Sequence, residues 1–187
     1  MEEMRREELY NGIIKRHAYN DIMGGKAYCC ILAEILKLDP GPQDGEAGQA
    51  VPVKNTKLVG SVEVTLMKTG ATGTPVRTSD LKTLGISFSQ WYAYVGSMAI
   101  LPDYRKLGIG SLLLQQIEQL VAFEEKLSPA VDYVLLEVAY DNEKARALYL
   151  KHSYDEIRID PLWQQQLLGI PRLVLMAKNK SLIEKNE

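Results

Sequence analysis

Apolar residues recur along this chain with two periods, and the switches between them mark out its elements. From Glu2 to about Asp21, Leu9, Ile13 and His17 stand four apart, the spacing of one helix face, which predicts a helix ended by Gly24-Gly25. AYCCILAEILKL (27–38) is rich in apolar and β-branched residues and predicts a strand, with a buried helix as the alternative. TKLVGSVEVTLM (56–67) alternates with period two, and the two stretches together predict an antiparallel hairpin across the turn-rich loop DPGPQDGEAGQAVPVKN. Lys68–Gln90 is a long connection in which Ser79 and Asp80 are placed to cap one helical turn before Leu81 and Leu84.

The second half is more regular. WYAYVGSMAIL (91–101) predicts a strand ended by Pro102, and Ile109, Leu112, Leu113, Ile117, Leu120 and Val121 follow a helical period. Beyond Pro129, VDYVLLEVAY (131–140) is apolar almost throughout, as in a strand covered on both faces. DNEKARALYLKHS predicts a short helix capped by Asp141, and YDEIRI and RLVLMAK predict two closing strands around DPLWQQQLLGIP. The strand–helix–strand unit at the centre should be parallel and right-handed, with antiparallel strands on either side. The expected fold is α/β, a mixed and mostly antiparallel sheet with flanking helices, in a single domain over 1–187.

Composition excludes several functions. A net charge of −2 over 187 residues creates no field to recruit nucleic acid, so any anion site must be local. The adjacent Cys29 and Cys30 point to opposite faces of a strand and are not expected to pair; with His17 and His152 they have no metal-ligand spacing, so no metal is expected. The charged start MEEMRREELYNG is unlike a secretory signal, and no apolar run suffices for a membrane span. An intracellular, cytoplasmic protein with no membrane partner is expected, with a processed organellar protein as the alternative.

The stretch with chemistry in it is SMAILPDYRKLGIGSLLLQQIEQL (97–120), where a strand passes through a basic, glycine-bearing turn into a helix. Free N–H groups at the helix start, Gly108 and Gly110 open to close approach, and the charges of Arg105 and Lys106 suit a phosphate. Leu113 occupies the third glycine position of a dinucleotide fingerprint, and Gly110-Ser111-Leu112 lacks the Gly-Lys-Ser/Thr of a nucleotide P-loop. A nucleotide-binding domain is thereby disfavoured. Arg105–Gly110 remains as R-x-x-G-x-G, and Asn142, Ala145 and Tyr149 form N-x-x-A-x-x-x-Y.

With these two motifs the chain resembles the GNAT superfamily of N-acetyltransferases over roughly Leu58 to Lys178. The resemblance implies acetyl-CoA as co-substrate and two parallel strands that splay apart. Its pyrophosphate would lie on Arg105, Lys106 and the backbone of Leu107, Gly108, Ile109, Gly110 and Ser111. The pantetheine arm would pair with Met98, Ala99 and Ile100, with an N–H near Met98 facing the thioester oxygen. Asn142 and Tyr149, two turns apart, would address the same ligand, and Tyr149 would be the general acid for the departing sulfur.

Glu137 is the one charged residue inside Tyr133–Ala139, where apolar surroundings raise a carboxyl pKa and suit a base; the alternative is a glutamate paired with a basic side chain. Ribosomal-protein N-terminal acetyltransferases carry Leu-Glu-Val here with the glutamate as base. Tyr94 stands where some N-terminal acetyltransferases use a tyrosine near the amine, and Tyr92 shares its face; aromatic packing is the alternative for both. Trp163 either lines the acceptor site or packs. Two departures stand out: the family opens with a strand where this chain has helix-like sequence, and DPLWQQQLLGIP replaces the Tyr-Tyr pair of the last hairpin. The expected activity is acetyl transfer to a protein N-terminus or lysine by direct attack. Acetylation of a small amine and a non-catalytic acyl-CoA-binding module are the alternatives. A monomer or homodimer is expected.

Overall fold

The computed structural model describes residues 14–19, 27–38, 54–70, 74–123 and 131–184. The rest of the expected first helix, the Gly24-Gly25 break, the 39–53 loop and Pro129 lie outside them. Seven strands form one sheet: β1 (Ile14–Tyr19), β2 (Ala27–Leu38), β3 (Lys54–Lys68), β4 (Trp91–Ile100), β5 (Val131–Ala139), β6 (Asp155–Ile159) and β7 (Leu173–Asn179). Their order is β1-β2-β3-β4-β5-β7-β6, and among the described residues only the β4–β5 pair is parallel. The crossover joining that pair carries α2 (Ile109–Phe123). The other helices are α1 (Thr78–Thr83), α3 (Glu143–Lys151), α4 (Leu162–Leu168) and α5 (Lys180–Glu184).

The sheet is covered on both faces, which is why β5 reads as a continuous apolar run. Val134, Leu136 and Val138 enter the larger core with Leu113, Leu114, Ile117 and Val121 of α2. Leu135 points the other way, into a second core with Tyr92, Leu175 and, from the 68–90 connection, Val76, Leu81 and Ile86.

Three expectations are corrected. Residues 14–19 are a strand, not part of a helix, pairing from Ile14↔Ala33 to Tyr19↔Tyr28. Leu9, Ile13 and His17 are evenly spaced, so their pattern fits a strand face as well as a helix face. The long edge of β2 supplies the backbone partners that decide it. The helical turn near Leu81 exists, but its N-cap is Arg77 without a side-chain cap, and Asp80 is drawn into an ion pair instead. The cap of α3 is Asn142, whose Oδ1 accepts from Ala145 N at 3.2 Å, rather than Asp141.

One feature of the sheet positions the site. β4 and β5 pair from Trp91↔Val131 to Val95↔Leu136 and then separate. Beyond that point β4 stays with β3, from Val62↔Met98 to Gly60↔Ile100, past an irregularity at Val62/Val64. β5 stays with β7, from Glu137↔Leu175 to Ala139↔Leu173. A wedge-shaped opening results in the middle of the sheet. The burial of β4 follows it, from mostly buried residues before Gly96 to exposed or half-buried ones after.

Candidate active site

The opening exposes one edge of the β4 backbone. Gly96 to Ile100 have no β5 partner, so their N–H and C=O groups on that side, apart from the Ile100 carbonyl, are available to an extended ligand. Arg105 Nε donates to Ile100 O at 3.1 Å and folds the basic turn back on the strand end. Lys106 and Gly108 take positive φ (63° and 85°). That left-handed geometry turns the chain directly into α2, whose first intrahelical bond is Leu112 N to Gly108 O at 3.1 Å. The N–H groups of Ile109, Gly110 and Ser111 therefore lie in the unpaired first turn. A Cβ on Gly110 would stand 3.1 Å from Leu148 Cδ2 and 3.3 Å from Ile100 Cδ1, so the missing side chain lets α3 close against the turn.

These observations bring Met98, Ala99, Ile100, Arg105, Lys106, Leu107, Gly108, Ile109, Gly110 and Ser111 to one side of the opening. Asn142 spends its Oδ1 on the start of α3. Tyr149 lies on α3 in the larger core, tilted against Tyr154 with ring centroids 6.0 Å apart, and burial raises its pKa. Asn142 is exposed at the start of α3, and Tyr149 is buried two turns further on.

Glu137 is the first β5 residue beyond the last β4 pairing. Strand alternation turns it to the second-core face, the face of Tyr92 and Tyr94. Tyr94 OH donates to Glu137 Oε2 over 3.4 Å, and Arg158 Nη2 donates to Oε1 at 2.6 Å. Burial pushes the Glu137 carboxyl above its ordinary range, and the Arg158 guanidinium draws it partly back. Burial, then the Glu137 charge, raises the Tyr94 phenol. Tyr92 is fully buried, its OH directed at Met67 Sδ at 3.6 Å, so for Tyr92 the packing alternative holds.

Glu137 is paired with a basic side chain, the alternative its sequence left open, but sequence reasoning did not name Arg158 or the residues around it. Arg158 Nε stands 2.9 Å from Asp80 Oδ2, Nη1 donates to Asp160 Oδ1, and Arg77 Nη2 reaches Asp160 Oδ1 at 3.2 Å. No spacing along the chain announces a cluster drawn from α1, β5 and β6. The one visible signal was Asp80, read as a cap. Trp163 is half-exposed on α4, which buries none of its residues. His17 sits in β1 opposite Cys30, and His152 caps the end of α3.

A sequence model described as the Acetyltransferase (GNAT) family matches residues 41–154. The chain belongs to this family. A curated relative, GCN5-related N-acetyltransferase 7, chloroplastic, of Arabidopsis thaliana, is 26% identical over 93 residues, which cover 50% of this chain and 31% of that protein. The chain thus spans about a third of that relative's length. Among solved structures, Arabidopsis thaliana NAA60 in complex with acetyl-CoA superposes with a TM-score of 0.52 at 16% identity, covering 89% of this chain and 98% of the other. NAA60 in complex with a bisubstrate analogue gives 0.51 at 18% identity, covering 84% and 76%. The divided β4–β5 pair is therefore set in a GNAT fold. Among the described residues no helix is long and apolar enough to cross a membrane, and no cluster of His, Cys, Asp or Glu is arranged to hold a metal.

Proposed function

We propose that this chain is an acetyl-CoA-dependent N-acetyltransferase, in one domain, acting on a primary amine by direct attack, with a protein N-terminus or lysine as acceptor. The observation that carries the reading is the opening past Val95 and Leu136, with a bare β4 edge and a glycine turn on one side and Glu137 on the other. Family membership and the likeness to a fold solved with acetyl-CoA support it.

The residues fit the donor. The first turn of α2, with Gly108 leaving its N–H groups uncovered, suits the pyrophosphate, and Arg105 and Lys106 add charge. Met98 to Ile100 suit the amide groups of the pantetheine arm, as an added strand would. Acetyl-CoA supplies an activated acyl thioester. An N–H near Met98 steadies the negative charge that develops on the acyl oxygen. Glu137, whose raised pKa strengthens it as a base, takes the proton of the attacking amine, and Tyr94 orients that carboxylate. Tyr149, protonated at neutral pH, gives its proton to the departing sulfur. Asn142 serves the donor site by fixing the start of α3, and so the helix that carries Tyr149.

The test is release of free thiol from acetyl-CoA with a panel of N-terminal peptides, lysine peptides and small amines. Wild type should turn over at least one class. Glu137→Gln should lose about 10²–10⁴-fold in turnover while its affinity for acetyl-CoA, measured calorimetrically, stays the same. Donor binding without turnover of any amine would instead identify an acyl-CoA-binding module.

A further inference from the structure

The guanidinium beside Glu137 poses a problem for a base. A carboxylate paired with a single arginine is held ionised and is slow to accept a proton. Arg158 is not shared by Glu137 alone. Its three nitrogens stand beside three carboxylates from three elements: Nη2 donates to Glu137 Oε1 on β5, Nη1 donates to Asp160 Oδ1 just after β6, and Nε lies 2.9 Å from Asp80 Oδ2 on α1 as an ion pair without a hydrogen bond. All four side chains are at most 14% exposed. Arg77, half-exposed, adds a second cation, but it reaches Asp160 and not Glu137. Arg172 Nε donates to the Asp160 carbonyl at 2.6 Å, and Leu173 N to Asp160 Oδ2 at 3.3 Å, so Asp160 is itself fixed. From β4 only the Tyr94 hydroxyl bonds to Glu137, with Tyr92 behind it; opposite on β7 is the apolar Leu175. The group therefore holds three carboxylates against two guanidiniums, one of which touches Glu137.

We propose that Arg158 is the positioning residue of Glu137, holding Oε1 so that Oε2 stays beside Tyr94, and that Asp80 and Asp160 are counter-charges that divide the guanidinium and leave Glu137 able to accept a proton. This rests on Glu137 being the base. It also gives the 68–90 connection a task, because α1 delivers Asp80 to Arg158 from outside the sheet. The physical logic has two opposite signs. Removing the guanidinium takes away the one cation that the described residues place on Glu137, so the carboxyl should hold its proton to higher pH. Removing the Asp80 charge returns more of the guanidinium to Glu137, so the carboxyl should lose its proton at lower pH. A cluster in which Asp80 does not compete with Glu137 for the guanidinium predicts no such opposition.

The experiment is a carbon-13 NMR titration of the full chain carrying labelled glutamate carboxyl groups, with the Glu137 signal identified by its loss in Glu137→Gln. In Arg158→Met the Glu137 midpoint should rise by about 1–3 pH units, and Arg158→Lys should recover part of that shift. In Asp80→Asn the midpoint should fall below that of wild type. Unchanged midpoints, or shifts of the same sign in Arg158→Met and Asp80→Asn, would overturn the proposal. If Arg158→Met does not fold, as judged by thermal unfolding, Arg158→Lys and Asp80→Asn decide the matter by the same opposition. The titration needs no turnover. The base assignment fails separately, if Glu137→Gln keeps wild-type activity.

Discussion

Tyr149 and Glu137 stand on opposite faces of the sheet, Glu137 at the point where β4 leaves β5. Tyr149 belongs to the core packed under α2, whereas Glu137 shares its face with Tyr94 and the second core. The proposed mechanism therefore divides donor and acceptor chemistry between the two sides. Tyr149→Phe removes a hydroxyl without removing the ring that packs against Tyr154. Turnover should fall about 10²–10⁴-fold with acetyl-CoA affinity unchanged, as steady-state kinetics and calorimetry would read. Unchanged turnover would make Tyr149 a packing residue only.

Gly108 has φ 85° and open space where a Cβ would stand. Alanine there meets no neighbour and pays only in backbone strain, about 1 kcal/mol. For a chain of this size the melting temperature should fall by about 2–4 °C. Donor binding should weaken as well, because the turn would relax. An unchanged melting temperature would show that the left-handed turn is not needed.

The Lys178–Glu118 pair ties β7 to α2 at 2.8 Å, with both side chains less than a tenth exposed and Lys178 Nζ 5.8 Å from the Tyr154 ring centroid. Lys178→Met leaves Glu118 charged and buried, which should cost about 3–5 kcal/mol in urea unfolding. Adding Glu118→Leu should restore most of that loss. A double variant no better than the single would mean that the pair is not the coupled unit described here.

His152 is held below its ordinary value of 6.5 by burial; Glu118 opposes this, and Lys178 and Lys151 add to it. Between that lowered value and 6.5 the unfolded chain binds the proton more readily than the folded one, so stability falls as pH drops through the window. Going from about pH 7.5 to about pH 5, wild type should lose more melting temperature than His152→Gln. Parallel losses in both proteins would remove His152 from the acid sensitivity.

The sequence was most legible where period and burial agreed. β3 alternates, so its partner face and solvent face could be read directly. β5 is apolar along most of its length, which gave a two-sided strand, and the single charge inside Tyr133–Ala139 gave Glu137. β1 was misread because evenly spaced residues fit both a helix and a strand, and only the free edge of β2 decides between them. The turn of Arg105 to Gly110 was legible as a strand-to-helix turn because it depends on local backbone geometry. The Arg158 cluster was not, because Asp80, Glu137 and Arg158 meet only once three distant elements are packed. Asp80 satisfied the local rule for a helix cap, and its tertiary partner overrode it.

Hydrogen exchange of the full chain with and without acetyl-CoA tests the central claim most directly, since it reports the ligand and its place together. Amides of Gly96–Ile100 and Leu107–Leu112 should gain protection with acetyl-CoA and with CoA, and not with NADH or ATP. Protection confined to some other region, or none with either CoA species, would contradict an acetyl donor seated in the opening between β4 and β5.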